Sequence, residues 1–185
     1  WLEGLKDEMN YYLNANVSPD AVTTQRWGDL LKGTMVPMMA EAGVAALVQS
    51  KWAQSGVFNK KCPIANGQRA LTGCIATAMA QIMRYWKYPA TGNGSYSYTQ
   101  SPYGSISANF GATTYDWNAM PLIPNASGTY DAMATLLFHA GVGAKMNYGP
   151  QSSGAWVINS YSPSGTTHTA ENALKNYFRY DAATV

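Results

Sequence analysis

The spacing of hydrophobic positions predicts five helices along the chain. The clearest covers residues 74–86, where apolar side chains recur at i, i+3, i+4 and i+7 and small alanines fill the first turns. Thr72 is the predicted N-cap of this helix, which places Cys74 in its first turn, and Pro89 follows its end. Four further helices are predicted over residues 1–13, around Trp27 with an end near Gly33, over 130–140 with stops at Gly141 and Gly143, and over 170–178.

Between the third and fourth helices the pattern changes from helical spacing to alternation. Polar residues and tyrosines alternate after an Asn93-Gly94 turn signal. Three short strands are predicted there, over 95–99, 106–110 and 113–117. Polar segments that contain Pro, or that are rich in Gly, Ser and Asn, predict loops over 14–24, 51–63 and 147–166. Helices that precede the strands in the sequence indicate an α+β fold.

Composition narrows the classes of protein to which the chain can belong. Its 185 residues suffice for one sizeable core, and 46% hydrophobic residues are typical of a folded domain. The net charge of +2 does not favour nucleic acid or an anionic membrane as a partner. No apolar run approaches the roughly 20 residues of a membrane helix. A surface rich in Tyr, Ser and Asn favours a secreted protein. Because the sequence begins on Trp1 without a signal peptide, we expect it to be a piece of a longer protein.

The two cysteines, Cys62 and Cys74, offer the most informative chemistry. They lie twelve positions apart and, with two histidines far away in the sequence, do not form a zinc pattern. The spacing alone leaves three alternatives open: a disulfide, two buried thiols, or one nucleophilic thiol. Cys74 suits the last role because unpaired N–H groups and the positive end of the helix dipole stabilise a thiolate in the first turn. Gly73 is expected to let a substrate backbone approach the thiol closely.

Acyl transfer by a thiolate also needs hydrogen-bond donors for the oxyanion that forms on the substrate. The backbone N–H of Cys74 is one such donor. Gln54, which lies twenty residues upstream in the predicted loop, is a candidate for the second. On the sequence pattern alone, a solvated side chain is the more common role for a loop glutamine.

These segments together resemble a known family. The run TGCIATAMAQIMRYWKYP over 72–89, preceded by KWAQSGVFNKKCP over 51–63, is similar to the streptopain family of bacterial papain-like cysteine proteases. The later segments GNGSYSY, TTYDWNAM, GVGAKMNYGP and ENALKNYF look like the same family in the same order. The resemblance covers about residues 44–180, and the block around Cys74 is its most specific part.

The resemblance implies a papain-like α+β fold, with mainly the helical half of the catalytic domain and part of its β half. Cys74 is then the nucleophile of a cysteine endopeptidase, which attacks a peptide carbonyl and forms a thioester, and Gln54 is the oxyanion-hole side chain. Protein or peptide substrates are implied, with no nucleic acid, no membrane, no metal and no organic cofactor. The implied location is secreted or at the cell surface of a bacterium.

The resemblance also divides the chain. Residues 1–43 correspond to the C-terminal part of an inhibitory propeptide and its junction, and 44–185 to the N-terminal part of the catalytic domain. We therefore expect the enzyme to be made as a zymogen. Cys62 is implied to be structural or unpaired beside a free active-site thiol. Val57-Phe58 replaces the Pro-Tyr that is usual in the family at this point, which we interpret as a packing variation.

The family's catalytic histidine is expected beyond the last predicted helix, and the chain ends at Val185 before that segment. We therefore expect the chain alone to be inactive and to need a histidine from a further segment or a second chain. His139 is predicted to be a partly buried helix residue and His168 a polar cap or a solvated side chain. Two other functions stay open: a non-catalytic binding or protease-inhibitory module of the same fold, and another thiol acyltransferase such as an amidase or transglutaminase.

Overall fold

The computed structural model describes residue 14 and the segments 18–33, 45–158 and 168–180. Contacts between Cα atoms divide the chain into two compact units, Trp1–Ala45 and Ala46–Val185. The helix predicted over residues 1–13 and most of the predicted junction lie outside the described residues.

The first unit contains helix α1, Ala21–Leu31. It begins earlier than predicted, because the Asp20 carboxylate accepts a hydrogen bond from the backbone N–H of Thr23 at 2.7 Å and caps the first turn. The loop predicted to reach Thr24 is therefore wrong beyond Asp20. The helix ends close to Gly33, as predicted, where the backbone turns through a φ of 69°.

The second unit combines helices with two small sheets. Its sheets are antiparallel pairs, with Ile64 opposite Arg69 in the first and Ser95 opposite Asn109 in the second. No helix in the described segments is both long and apolar enough to span a membrane. The elements are β1 (Ile64–Ala65), β2 (Gln68–Arg69), α2 (Cys74–Trp86), β3 (Ser95–Gln100), β4 (Gly104–Asn109), a 3-10 helix (Trp117–Ala119), α3 (Asp131–Gly143) and α4 (Ala170–Phe178).

The hairpin of β1 and β2 was not predicted, although the sequence carries its signal. Asn66 and Gly67 form the two-residue turn, with φ values of 52° and 75°. Positive φ at both central positions is the geometry of a type I′ turn, for which Asn-Gly is the preferred pair. The hairpin lies within the segment that leads to α2.

The strand predicted over 113–117 is wrong. Thr114 forms only an isolated bridge to Thr91. The Asp116 carboxylate accepts hydrogen bonds from the backbone N–H groups of Asn118 at 3.1 Å and Ala119 at 3.3 Å. This local capping starts the 3-10 helix, which competes with strand pairing.

Helix α3 packs against α2 in the core and continues through both glycines that were predicted to stop it. A Cβ atom at Gly141 would overlap the Tyr148 hydroxyl, and one at Gly143 would lie 3.1 Å from Cβ of Ala173. The two glycines therefore permit close packing inside the helix rather than ending it at Ala140.

Candidate functional site

Cys74 is the first residue of α2, and its thiol is free and exposed. The predicted N-cap was wrong, because Gly73 and not Thr72 occupies that position. No side chain in the described segments caps this helix terminus. The first N–H groups of a helix have no intrahelical partner, so the donors beside the Cys74 thiol remain available to a ligand.

The hydroxyl of Thr72 has a different function. It lies 3.1 Å from the hydroxyl of Thr77, which in turn donates to the carbonyl of Gly73 at 3.0 Å. Both threonines are buried. Their hydrogen bonds fix the turn that leads into α2 and therefore the position of Cys74.

Gln54 lies in the loop that runs beside this turn. Its backbone carbonyl accepts a hydrogen bond from the N–H of Thr72 at 3.0 Å, two residues before Cys74. The buried side chain of Asn59 donates to the carbonyl of Ala70 at 2.8 Å and ties the same loop to the same segment. The fold thus brings the segments of the two predicted site residues together, and the Gln54 side chain is half-buried.

A third segment, the loop over 146–154, is hydrogen-bonded to the residues that lead into this turn. The Ser153 hydroxyl donates to the carbonyl of Leu71 at 2.8 Å and accepts from the N–H of Gly149 at 3.0 Å. The N–H of Leu71 donates to the carbonyl of Gly149 at 3.0 Å. Ser153 was not predicted as a supporting residue, because its partner is 82 residues away and no local signal marks it.

The loop over 146–154 is anchored to the sheet. The Tyr98 hydroxyl on β3 donates to the carbonyl of Met146 at 2.6 Å. The Gln100 side chain forms two hydrogen bonds with the backbone of Tyr148. It donates to the carbonyl at 2.6 Å and accepts from the N–H at 2.8 Å. The β3–β4 pair therefore contributes to the position of Cys74 through this loop.

Gly73 has a structural role that differs from the expected one. Its φ is 85°, and an added Cβ would lie 2.7 Å from Cε of Met146 and 3.0 Å from the carbonyl of Ser153. The space that a side chain would occupy is therefore filled by protein. The glycine is required by the backbone conformation and by packing, and not by the substrate approach that was expected from the sequence.

Replacing Gly73 by alanine should lower the free energy of unfolding by about 2 kcal/mol or more, because backbone strain and the contacts with Met146 and Ser153 add. Urea unfolding measures the change. Gly94→Ala is the matched control, since Gly94 also has a positive φ of 62°, but an added Cβ would meet no atom within 4 Å. The control should lose about 1 kcal/mol from strain alone. Equal losses in the two variants would contradict the packing role.

Cys62 does not pair with Cys74, so the disulfide alternative is wrong. Both thiols are free, and Cys62 is only 2% exposed. Burial raises the pKa of the Cys62 thiol to about 12, although the charge of Arg69 acts in the opposite direction. The expectation that Cys62 is structural or unpaired is confirmed.

Alkylation should distinguish the two thiols. We expect iodoacetamide to modify Cys74 at least about 100-fold faster than Cys62 in the native protein at pH 7, because only Cys74 is exposed and accessible. Peptide mapping by mass spectrometry measures both rates. In 8 M urea the rates should become similar, which controls for intrinsic reactivity. Similar rates in the native protein would show that the described burial of Cys62 is wrong.

His139 is a helix residue, as predicted, and it lies in α3, where it is buried rather than partly buried. Its Nδ1 atom lies 3.0 Å from the Tyr115 hydroxyl, and its ring meets the ring of Phe110 edge-on. Burial lowers the pKa of His139 to about 4, so the ring is neutral at physiological pH. These contacts give His139 a role in the core.

The lowered pKa of His139 makes the stability of the protein depend on pH. Because the unfolded chain binds the proton more readily, stability is lost as pH falls from about 6.5 towards 4, by on the order of 3 kcal/mol. Urea unfolding between pH 7 and pH 4.5 should show this loss, and His139→Gln should flatten it. Tyr115→Phe should keep it, because burial is the cause of the shift. Parallel curves for the wild type and His139→Gln would contradict the assignment.

His168 is half-buried, and its ring stacks on that of Tyr96 with centroids 4.4 Å apart. His168 was predicted as a possible cap of α4, but the cap is the next residue, Thr169. The Thr169 side chain accepts a hydrogen bond from the N–H of Asn172 at 3.3 Å. Partial burial and the charge of Lys145 lower the pKa of His168. Its role in the described structure is therefore a ring contact with β3.

The described segments contain no group of three His, Cys, Asp or Glu side chains that could hold a metal ion. The chemistry that the site offers comes from the exposed thiol of Cys74, the uncapped N–H groups of α2 and the adjacent loop of Gln54. A thiol beside fixed N–H donors is the arrangement that acyl transfer requires.

Comparison with known proteins gives consistent matches. Residues 52–185 match the model of the peptidase C10 family. The chain is 36% identical to streptopain of Streptococcus pyogenes over 127 residues, which is 62% of this chain and 29% of streptopain. It is 30% identical over 188 residues to the thiol protease/hemagglutinin PrtT of Porphyromonas gingivalis, covering 97% of this chain and 20% of that protein. The chain thus spans less than a third of these curated relatives.

Two solved structures extend the match to the fold. Active wild-type interpain A, a cysteine protease of Prevotella intermedia, superposes with a TM-score of 0.61 at 39% identity and covers 74% of this chain and 55% of that one. A prointerpain A fragment from the same organism gives 0.63 at 32% identity, over 96% of this chain and 53% of that one. The resemblance and the papain-like α+β fold predicted from the sequence are confirmed.

Proposed function

Because the chain belongs to the peptidase C10 family, we propose that it carries the nucleophile of a cysteine endopeptidase, and that this nucleophile is Cys74. The observation that carries the proposal is the free, exposed thiol on the first residue of a helix whose N-terminus has no side-chain cap. The relatives named thiol or cysteine proteases support the same chemistry. Protein or peptide chains are the proposed substrates.

The reaction has two stages in this proposal. The Cys74 thiolate attacks the peptide carbonyl carbon, the C–N bond breaks, and the amine leaves with a proton while a thioester remains on the sulfur. Water then attacks the thioester, which releases the carboxylic acid and returns the thiol. The backbone N–H of Cys74 and the side-chain amide of Gln54 are the proposed donors to the oxyanion at both stages. The hydrogen bond from Thr72 N–H to the Gln54 carbonyl supports this pairing of segments.

The general base in this proposal is neither of the two histidines of the chain. His139 is buried against Tyr115, and His168 stacks on Tyr96, so both rings are engaged in packing. We propose that a histidine outside these 185 residues completes the site, in a further segment of the same polypeptide or in a second chain. The lengths of the relatives favour the same polypeptide, since this chain spans about half of the solved interpain A chains. The 185 residues alone would then be inactive.

We also propose that residues 1–43 are the C-terminal part of a propeptide and its junction, and that 44–185 begin the catalytic domain. The prointerpain A fragment matches 96% of this chain, whereas active interpain A matches 74%. A zymogen in a secreted or cell-surface location of a bacterium fits this organisation, and the named relatives come from bacteria.

Hydrolysis assays on two forms of the protein test the proposed function. The 185-residue chain and the polypeptide extended to include its histidine segment are each incubated with casein and with glutamine-containing peptides. We expect no hydrolysis by the short chain and peptide-bond cleavage by the extended one once residues 1–43 have been removed. Ammonia release from glutamine without peptide cleavage would replace the proposal with an amidase or transglutaminase. If the extended polypeptide hydrolyses no substrate after removal of residues 1–43, a binding or inhibitory module is favoured.

A further inference from the structure

A cleft lies in the same unit, at the opposite end of α2 from Cys74. Its volume is about 240 Å³. Arg84 and Tyr85 come ten and eleven residues after Cys74, which corresponds to about 15 Å along the helix. The cleft is therefore distinct from the candidate active site. Its lining residues are Leu47, Gln49, Ser50, Arg84, Tyr85 and Leu122.

Ser50 provides an unused donor in this cleft. The residue is 8% exposed, and its hydroxyl is buried with no hydrogen-bond partner in the described part of the chain. The backbone around it is fixed, because the Gln81 side chain donates to the Ser50 carbonyl and Lys51 N–H donates to the carbonyl of Leu122 at 2.8 Å. A buried hydroxyl without a partner destabilises the free protein, so a ligand that accepts its hydrogen bond would remove that cost.

Arg84 brings an uncompensated positive charge to the same cleft. Its Nε donates to the carbonyl of Met120 at 2.7 Å, which orients the guanidinium. Within the described segments it forms no ion pair, and none of the lining residues is acidic. The two terminal nitrogens of a guanidinium held in this way match the two oxygens of a carboxylate.

The remaining walls of the cleft are largely apolar. Leu47, Tyr85 and Leu122 are 64%, 41% and 38% exposed, so they present hydrocarbon and ring surface to an incoming group. The volume lies below the roughly 300–1,000 Å³ of ordinary small-molecule sites. It suits one or two residues of a peptide rather than a large ligand.

We propose that this cleft binds the carboxylate of a peptide together with a neighbouring apolar side chain. The Arg84 guanidinium pairs with the carboxylate, and the Ser50 hydroxyl, after its side chain rotates toward the cleft, donates to one of the carboxylate oxygens. Leu47 and Leu122 contact the apolar side chain. The carboxylate comes either from the C-terminus of a peptide or from a Glu or Asp side chain, because both present the same group. The site would hold a peptide on the protease away from the thiol.

Isothermal titration calorimetry tests the proposal on the Cys74→Ala protein, which cannot turn peptides over. The probes are acetyl-Ala-Leu with a free C-terminal carboxylate, the same peptide as its C-terminal amide, and acetyl-Leu-Glu-amide. At least one carboxylate peptide should bind tenfold or more tightly than the amide. The tighter of the two acids identifies the source of the carboxylate. Equal affinity for all three, or no binding at 10 mM, would overturn the proposal.

Variants then assign the binding to these residues. Arg84→Gln should weaken carboxylate binding at least tenfold. Ser50→Ala should weaken it about threefold to tenfold while leaving the fold intact, because the hydroxyl makes no contact that folding needs. It therefore keeps the test valid if Arg84→Gln unfolds. Lys87→Gln is the matched control, since it removes the same charge from the end of the same helix without altering the cleft. A loss as large for Lys87→Gln as for Arg84→Gln would show only diffuse charge attraction and reject the site.

Discussion

Replacing Cys74 by alanine is expected to abolish peptide hydrolysis by the extended polypeptide, with a loss of at least about 10⁴-fold in kcat/KM, and to leave the fold intact. The reaction has no other route to a thioester, because the second thiol is buried. The Cys74 side chain is exposed and alanine is a better helix former, so the free energy of unfolding should change by less than about 0.5 kcal/mol. Initial rates on a peptide substrate and urea unfolding measure the two quantities.

Cys62→Ala is the matched control for that experiment. Its thiol is 2% exposed and packed in the hydrophobic core, so its removal should cost about 1 kcal/mol of stability and leave most of the activity. Cys74→Ala is therefore expected to lose activity and keep stability, whereas Cys62→Ala is expected to lose stability and keep activity. Activity that survives Cys74→Ala but not Cys62→Ala would reject Cys74 as the nucleophile.

The helices of the second unit could be predicted because each is encoded by a local, repeated signal. Met79 and Met83, two of the four apolar positions at helical spacing in α2, are buried in the core beside Ala76. The other two, Ile82 and Trp86, are 42% and 65% exposed. The β3–β4 pair likewise follows from alternation. Where prediction failed, a local hydrogen bond or a tight contact decided the outcome: the Asp116 carboxylate started a 3-10 helix, and Gly141 made room for Tyr148 inside α3.

The support of the candidate site could not be predicted in the same way. Ser153 reaches Leu71 across 82 residues, and Tyr98 reaches Met146 across 48, and no pattern in a single sequence marks such pairs. Gly73 shows most clearly why the sequence alone did not predict the support of the site. Its presence beside Cys74 was visible, but the reason for it depends on Met146, which arrives from a distant loop. The roles of Cys74 and Gln54 stay predictions that rest on the family resemblance and on the position of their segments.

Replacing Gln54 by alanine should reduce kcat of the extended polypeptide by about 100-fold with little change in KM, because an oxyanion donor acts mainly in the transition state. The side chain is half-buried, while the structural bond of this residue is made by its backbone carbonyl to Thr72 N–H. The substitution therefore removes the amide and keeps the loop in place. Steady-state kinetics on a peptide substrate, together with the midpoint of urea unfolding, separate the two effects.

Two further variants test whether the loss of kcat comes from the side-chain N–H donor of Gln54. Gln54→Glu keeps the size of the side chain but replaces the N–H donor with a carboxylate oxygen, which repels the oxyanion, so its kcat should fall further than that of Gln54→Ala. Gln68→Ala removes an exposed glutamine from β2 and should change neither kcat nor stability. A decrease below about threefold for Gln54→Ala would remove this residue from the oxyanion hole and leave the backbone N–H groups at the start of α2 as its donors, because that helix terminus has no side-chain cap.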